Sequence, residues 1–472
     1  MPTKYTTLVL DLGGVFFSTP RLDVGLSQRR IANALDSPQW HEYERGKLSQ
    51  LACYKQIATT FGLDVDTWAN AICRLTKGQQ VNNDLVSAIR QLKVMYPGLK
   101  VYCLSNIPEP AFRELKDIIS DWKIFDQVYT SAQAGYRKPD VAAFQNFLTV
   151  AREEPESCIF VDDRLENVVV AQSLGFHSLC FQDTATTVSS LHNLLGDPIE
   201  RGMAFLKRNA KNLYCITNHG EIHRDNFSQL LIFQNTGDRS LVHLEEGGST
   251  WNYFIGEPVM VDTWYPNDSD TTSLAMVLLE GISTETKEEA MTAILSHMSP
   301  DGLPYTWLEK TRPRFCHCIC ANVYRFFYLS GSADKLPMVY PYLCNLLRTE
   351  AFSFGSRYYK NPDWFLYILS DLCARRDTDQ ALGDLRDLVI TRLKERAGCD
   401  KDILGAALRL VSTQSLGLDN ERDLSTLLKA QQADGGWETV WLWRSGKEAI
   451  EMGGRGVVTA MAVRGLRNAL KS

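Results

Sequence analysis

Two sets of residues in this chain stand in patterns that could do chemistry. Asp268-Ser269-Asp270-Thr271-Thr272 puts two carboxyls one residue apart. Neighbouring carboxyls raise the cost of ionising one another, and a carboxyl kept neutral in a dry pocket is a proton donor. The same residues also fit a helix N-cap ahead of Ser273-Leu274-Ala275-Met276, so both readings stand. The second set is spread along the N-terminal part: Asp11-Leu12-Gly13-Gly14-Val15, Ser105-Asn106, Arg137-Lys138-Pro139, and Asp162-Asp163 with Asn167. Apolar β-type runs at Leu8–Leu10, Val101–Leu104 and Cys158–Val161 precede three of these four pieces. Polar groups just past parallel strands mark the ligand-binding edge of a doubly wound sheet.

The elements that must position these residues divide the chain. Residues 1–195 alternate short strands with helical patterns and carry an inserted helical cap over about residues 20–85, unbroken by strands from Leu22 to Lys77. Residues 190–200, with Gly196, Asp197 and Pro198, read as a join. Over residues 200–472 helix-period segments dominate, at Ser273–Glu280, Lys287–His297, Ile319–Leu329, Trp364–Leu372 and Gly456–Leu466. Helical hairpins joined by Gly-rich aromatic turns predict an α-helical toroid. The expected fold class is therefore multidomain: a doubly wound α/β domain, then an all-α toroid.

Composition narrows the function classes. At 472 residues the chain exceeds one ordinary core, and 44% hydrophobic with 22% charged residues describes a globular protein. A net charge of −6 argues against a nucleic-acid partner, which would need a basic face. No apolar run is long enough for a transmembrane segment. The polar stretch Met1 to Thr7 leads directly into a strand, which predicts no signal peptide and a cytoplasmic location. Twelve cysteines are then expected to be reduced thiols. Cys316, Cys318 and Cys320 beside His317 are spaced CxCxC within an apolar helical pattern, unlike the wider cysteine pairs of structural zinc sites.

The order of the four N-terminal pieces resembles the haloacid-dehalogenase (HAD) superfamily over roughly the first 190 residues, and Tyr43-Glu44-Arg45-Gly46-Lys47-Leu48-Ser49 looks like the cap of dehalogenase-type members. The resemblance implies Asp11 as the nucleophile that attacks phosphorus. It implies Mg²⁺ held by Asp11, Asp162 and Asp163, with Ser105, Asn106 and Lys138 binding the phosphoryl group. Gly13 departs from the pattern, because most HAD phosphatases carry a second Asp there as general acid and base. Asp162-Asp163-Arg164-Leu165-Glu166 also fits the metal motif of class I terpene synthases, but it follows a strand where that motif lies within a helix.

Asp268–Thr272 resembles the DxDTT form of the DxDD motif of class II terpene cyclases. Gln431-Gln432-Ala433-Asp434-Gly435-Gly436-Trp437 matches their QxxDGGW repeat, and Asp301-Gly302-Leu303-Pro304-Tyr305-Thr306-Trp307 looks like a weaker copy. A HAD domain ahead of a DxDTT domain resembles the drimane-type sesquiterpene synthases, across nearly the whole chain. That resemblance implies farnesyl diphosphate as substrate and drimenyl or albicanyl diphosphate, or the free alcohol, as product. A silent HAD domain would release the diphosphate; a non-catalytic toroid would leave a prenyl-phosphate phosphatase. Asp270 is the expected general acid, with Asp268 hydrogen-bonded to it, and Thr271 replaces the third Asp of DxDD. Trp251, Tyr253, Trp264, Tyr265, Trp364 and Trp437 are the candidate cation-stabilising faces. Lys310, Arg312, Arg314, Arg444, Lys447 and Arg455 are the candidate diphosphate ligands. One toroid lacks the second helical domain that normally closes such a site. Either the HAD domain replaces it or the cavity lies wholly inside the toroid.

Overall fold

The computed structural model describes residues 5–18, 22–116, 118, 122–258, 265–445 and 450–470. The chain divides into two compact units, Met1–Gly196 and Asp197–Ser472.

In the first unit, β1 (Thr7–Leu10), β2 (Lys100–Ser105), β3 (Gln127–Thr130), β4 (Cys158–Asp162) and β5 (His177–Cys180) form a parallel sheet in the order β3-β2-β1-β4-β5. Leu8 and Leu10 pack in the core on one face and Val9 in the core on the other. Burial on both faces is why β1 reads as an unbroken apolar run. The register sets Leu10 beside both Cys103 and Val161. Asp11, Ser105 and Asp162 therefore emerge together at one edge of the sheet.

Four helices, Gln28–Leu35, Pro38–Glu44, Gln50–Phe61 and Val65–Lys77, make the inserted cap. Ser27, Ser37, Ser49 and Asp64 cap their N-termini by accepting backbone N–H bonds. The cap has its own core around Trp40, Tyr43 and Trp68. Glu44 ties it down: it accepts from Arg137 Nε at 2.8 Å and Trp40 Nε1 at 3.0 Å, while its carbonyl accepts from Ser131 Oγ at 2.7 Å.

Among the described residues, the second unit is built on a ring of six inner helices. They are α1 (Asn226–Thr236), α2 (Ser269–Leu278), α3 (His317–Leu329), α4 (Asp363–Arg375), α5 (Ile403–Ser415) and α6 (Arg455–Ala469). Each packs on the next, and α6 closes the ring against α1. Pro198–Arg208, Thr284–Leu295, Val339–Arg348, Gly383–Arg396 and Glu421–Ala430 lie outside it. The patterns explain the two layers. α4 is buried from Asp363 through Cys373, whereas Gly383–Arg396 buries only Leu385, Val389 and Leu393, a one-sided stripe. Buried Arg409 joins α5 to α4 through Asp363 at 2.8 Å and to Glu421–Ala430 through Asp423 at 2.8 Å.

The Gln431–Trp437 turn is a tie between helices. Gln431 Nε2 donates to Pro198 O at 2.9 Å and Gly435 O at 2.8 Å, and Trp437 Nε1 donates to Leu427 O at 2.9 Å. Gly435 has φ +92, and a Cβ there would meet Arg201 O at 2.3 Å. Helical periodicity does not reveal one further element. β6 (Cys215–Thr217), β7 (Ile222–His223), β8 (Val440–Ser445) and β9 (Ile450–Gly454) form an antiparallel sheet in the order β8-β9-β6-β7. A register shift between Trp441 and Trp443 lets Leu442 and Trp443 both turn inward. Among the described residues no helix is long and apolar enough to cross a membrane.

Candidate active sites

At the sheet edge of the first unit, Lys138 Nζ lies 3.0 Å from Asp11 Oδ1 and 2.6 Å from Asp162 Oδ2. All three side chains are buried. Burial pushes the Asp11 carboxyl upward, opposed by the Lys138 charge. Asp162 Oδ1 accepts from Arg164 N and Asn167 Nδ2, both at 2.9 Å. Asp163 projects from the same turn, and ligand oxygens of Asp11, Asp162 and Asp163 lie within 4.8 Å of one another. Among the described residues this is the group of His, Cys, Asp or Glu side chains close enough to hold a metal ion. Asp162 ends β4 and the next helix begins at Leu165, so the acidic pair sits at a strand end.

Ser105 is buried at the end of β2. Asn106 is turned toward the backbone of Lys138. It donates to Lys138 O at 2.7 Å and accepts from Lys138 N at 2.8 Å. Asn106 therefore sets the lysine backbone with one of its two amide N–H groups and its oxygen. Gly13 faces open space, since a Cβ there would meet nothing within 4 Å. Gly14, at φ +77, lies so close to Asp163 that a Cβ would stand 2.2 Å from its Oδ2.

The second unit holds a cavity of about 230 Å³. Its described lining belongs wholly to the second unit, from His223 to Met452, and includes Asp268 and Asp270. Both readings of the acidic motif hold together. Asp268 is the N-cap of α2 and accepts from Thr271 N at 2.6 Å, while Asp270 sits in the first turn, buried. The segment is pinned by Asp268 N to Trp251 O at 3.1 Å and Ser269 N to Thr306 O at 2.8 Å. Burial, with the Asp270 charge beside it, raises Asp268 to about 7. Burial also raises Asp270, opposed by hydrogen bonds from Tyr359 and Asn322.

The expected hydrogen bond from Asp268 to Asp270 is replaced by others. Asn322 Nδ2 donates to Asp270 Oδ1 at 2.7 Å, and the Tyr359 hydroxyl donates to Asp270 Oδ2. The capping geometry turns the Asp268 carboxyl back onto its own helix, so a partner had to come from α3 and from the segment ahead of α4. Neither Asn322 nor Tyr359 belongs to a sequence signature, and nothing in their local spacing advertises them.

Of the six aromatic candidates, Tyr253 and Tyr265 line the cavity. Trp251 and Trp364 are buried in the surrounding core, with Trp364 Nε1 donating to Leu442 O at 3.1 Å behind Tyr359. Trp437 belongs to the helix tie, and Trp264 lies outside the described residues. Phe227, Phe254, Trp307, Tyr358, Tyr359 and Trp443 supply the remaining aromatic lining among the described residues. Trp307 is the last residue of the weaker repeat copy, so that copy faces the cavity whereas the full repeat does not.

Arg312, Arg314 and Arg444 line the cavity, joined by Arg357, which sequence spacing did not single out. Arg312 and Arg314 stack over Trp307 at 5.8 and 5.6 Å, and Arg444 Nε donates to Arg357 O at 2.8 Å. Arg455 is a correction. It forms a two-pronged pair with Asp434 at 2.7 and 2.8 Å over the Phe205 ring, so it braces the helix tie. Lys447 lies outside the described residues, and Lys310 is exposed away from the lining. Cys316, Cys318 and Cys320 are buried at the start of α3, and burial lifts the Cys318 and Cys320 thiols well above their usual range.

Comparison with known proteins agrees with this division. Residues 7–175 match the haloacid dehalogenase-like hydrolase family, and residues 199–330 match the sesquiterpene cyclase astC-like C-terminal domain. The drimenol cyclase drtB of Aspergillus calidoustus is 34% identical over 466 residues, covering 97% of this chain and 87% of that protein. The sesquiterpene phosphatase astK of Aspergillus oryzae is 33% identical over 197 residues, 42% of this chain and 100% of that protein. A solved HAD family enzyme from Bacteroides thetaiotaomicron matches at 19% identity and a TM-score of 0.33, over 38% of this chain and 94% of that one. With a relative of this identity along nearly its full length, the chain belongs to the drimenol cyclase family, as an enzyme that joins a HAD-type phosphatase unit to a sesquiterpene cyclase unit.

Proposed function

We propose that the toroid protonates farnesyl diphosphate to a bicyclic drimane-type diphosphate, drimenyl or albicanyl, and that the HAD unit removes the diphosphate to give the alcohol. The observation that carries this reading is Asp270, a buried acid held by Asn322 and Tyr359 in an aromatic cavity that four arginines also line. Asn322 donates to Oδ1, which leaves the acidic proton of the neutral form on Oδ2. Tyr359 donates to that same oxygen, so the proton points away from it. The Oδ2–H bond breaks as the proton adds to the distal alkene of the substrate, and the internal double bonds attack the resulting tertiary cation to close two rings. The carboxylate left behind is stabilised by the two donors already in place. Arg312, Arg314, Arg357 and Arg444 bind the diphosphate, which stays attached throughout.

In the HAD unit Asp11 is the nucleophile and Lys138 neutralises the charge gathered around it. The donor set of Asp11, Asp162 and Asp163 is all oxygen and closely grouped, which suits Mg²⁺. Mg²⁺ held there would neutralise the phosphate oxygens. Gly13 favours a second reading, in which the HAD unit is silent and the diphosphate is released. Incubation with farnesyl diphosphate and Mg²⁺, extracted before and after added external phosphatase, tests both. A bicyclic alcohol without added phosphatase supports the two-step reading. The alcohol only after phosphatase supports a silent HAD unit, and farnesol alone overturns the cyclase.

A further inference from the structure

We propose that His223 is the base that ends the cyclisation, taking the proton whose loss forms the final alkene. The assignment rests on the cyclase reading above. His223 ends β7 and lines the same cavity as Asp270, from a different element of the fold. It is fully buried, and its Nδ1 makes no hydrogen bond. Its Nε2 lies 2.9 Å from the Tyr253 hydroxyl, which accepts from Trp443 Nε1 at 2.6 Å and lies 3.9 Å from Met452 Sδ.

These contacts select a tautomer. If the ring proton sat on Nδ1, a buried N–H would have no acceptor, which is the rarer and costlier defect in protein interiors. With the proton on Nε2, the Tyr253 oxygen accepts from both Trp443 and His223 and sends its own hydrogen toward Met452. Nδ1 then presents a bare lone pair. Burial holds the imidazolium form down to about 4, so the ring enters the reaction neutral. Among the described lining carboxyls, Asp268 shares a turn with the acid itself and is engaged in capping α2.

The step balances. A C–H bond next to the cationic carbon breaks, its electron pair forms the alkene, and the proton goes to Nδ1 to give an imidazolium. Nε2–H remains bonded to Tyr253. Asp270 has lost one proton and His223 has gained one, so return of that proton through solvent resets the site.

The test compares the full-length wild type, His223→Gln and His223→Phe on farnesyl diphosphate, with products resolved by gas chromatography after external phosphatase. Loss of the base should cut the share of the parent alkene among bicyclic products by about 10²-fold, in favour of water-quenched diols and other double-bond isomers. An unchanged product ratio in a variant that still consumes substrate overturns the assignment. Should neither variant turn over, nitrogen-15 NMR of the wild-type histidines decides. A bare Nδ1 at residue 223 supports the proposal, and a protonated one overturns it. A wild type that yields no bicyclic product would instead defeat the cyclase reading, which the NMR result does not touch.

Discussion

Asn322 donates to Asp270 Oδ1 at 2.7 Å while its own Oδ1 accepts from Arg325 Nη2 at 2.6 Å. Because arginine can only donate, the amide has one possible orientation, and its NH₂ group must face the acid. Arg325 is held in turn by Asp371 at 3.0 Å, and Asp371 by Arg375 at 2.8 Å. A buried polar chain therefore runs from the centre of the toroid along α3 and α4, and it sets the position of one oxygen atom. Replacing Asn322 with Leu removes a donor that stabilises the carboxylate formed on proton transfer. We expect kcat for cyclisation to fall by about 10²-fold with little change in KM. Unfolding should cost about 1–3 kcal/mol less, since Arg325 loses a partner. Steady-state kinetics with farnesyl diphosphate, beside a thermal melt, checks both; a rise in KM alone would contradict the role.

Asp270→Asn separates the two units. It keeps the shape but has no acidic proton. Cyclisation should fall by more than about 10³-fold, the scale of losing an essential acid. Hydrolysis of a simple phosphate monoester by the HAD unit should stay within a factor of two or so, because none of that unit's site residues changes. If hydrolysis fell with cyclisation, the assignment of the two activities to separate units would be wrong.

Stability should depend on pH through Asp268. Its folded value is raised to about 7 from an ordinary carboxyl value of 3.8, so the folded state prefers the neutral form. The stability this contributes is present below about pH 4 and is lost as pH rises toward 7. Asp225, buried and also raised to about 7, acts in the same direction. Asn is an equally good cap and does not ionise. Asp268→Asn should therefore melt higher relative to wild type at pH 8 than at pH 5. An equal difference at the two pH values would mean that Asp268 is charged in the folded protein.

The two adjacent glycines of the HAD unit should respond in opposite ways. Gly13 has open space where a side chain would go, so Gly13→Asp adds the missing carboxyl without a clash. Phosphate release should rise, by up to about 10²-fold if proton transfer to the leaving group limits the rate. Gly14→Ala should abolish it, because its φ of +77 disfavours any side chain and the new methyl would displace Asp163. Phosphate release from a soluble monophosphate measures both variants. No gain from Gly13→Asp would mean that the leaving group receives its proton from elsewhere.

What was legible in the sequence follows a physical line. Strand ends, caps and glycine turns are local, so Asp11, Ser105, Lys138 and the Asp162-Asp163 pair could be read in order, as could the N-cap at Asp268. Contacts between distant segments left no such trace. Asn322 sits 52 residues from Asp270 on a helix whose own pattern says only that it is buried, and Tyr359 sits 89 away in an irregular segment. The same limit explains the aromatic residues. Trp364 and Trp437 have the composition of a cation-binding wall but face the core, and only the folding of β8 against β9 decides that Trp443 turns toward Tyr253. Arg444 and Arg455 are close in sequence, yet the hairpin between them sends one to the cavity and the other to Asp434.

Arg357 offers the cleanest test of diphosphate binding, because it lines the cavity with Arg312, Arg314 and Arg444 but forms no ion pair among the described residues. Its carbonyl, which holds Arg444, belongs to the backbone and survives substitution. Arg357→Ala should then remove one charge-assisted contact to a group that is bound equally before and during protonation. Uniform binding of that kind appears in KM and not in kcat. We expect KM for farnesyl diphosphate to rise by about 10-fold or more, the loss of roughly 1.5–3 kcal/mol from a hydrogen bond to a charged group, with kcat nearly unchanged. Added salt should narrow the gap between variant and wild type, since it screens the same exposed charge. A fall in kcat at constant KM would place Arg357 against the reacting end of the substrate, and the polarity assigned to the cavity would have to be reversed.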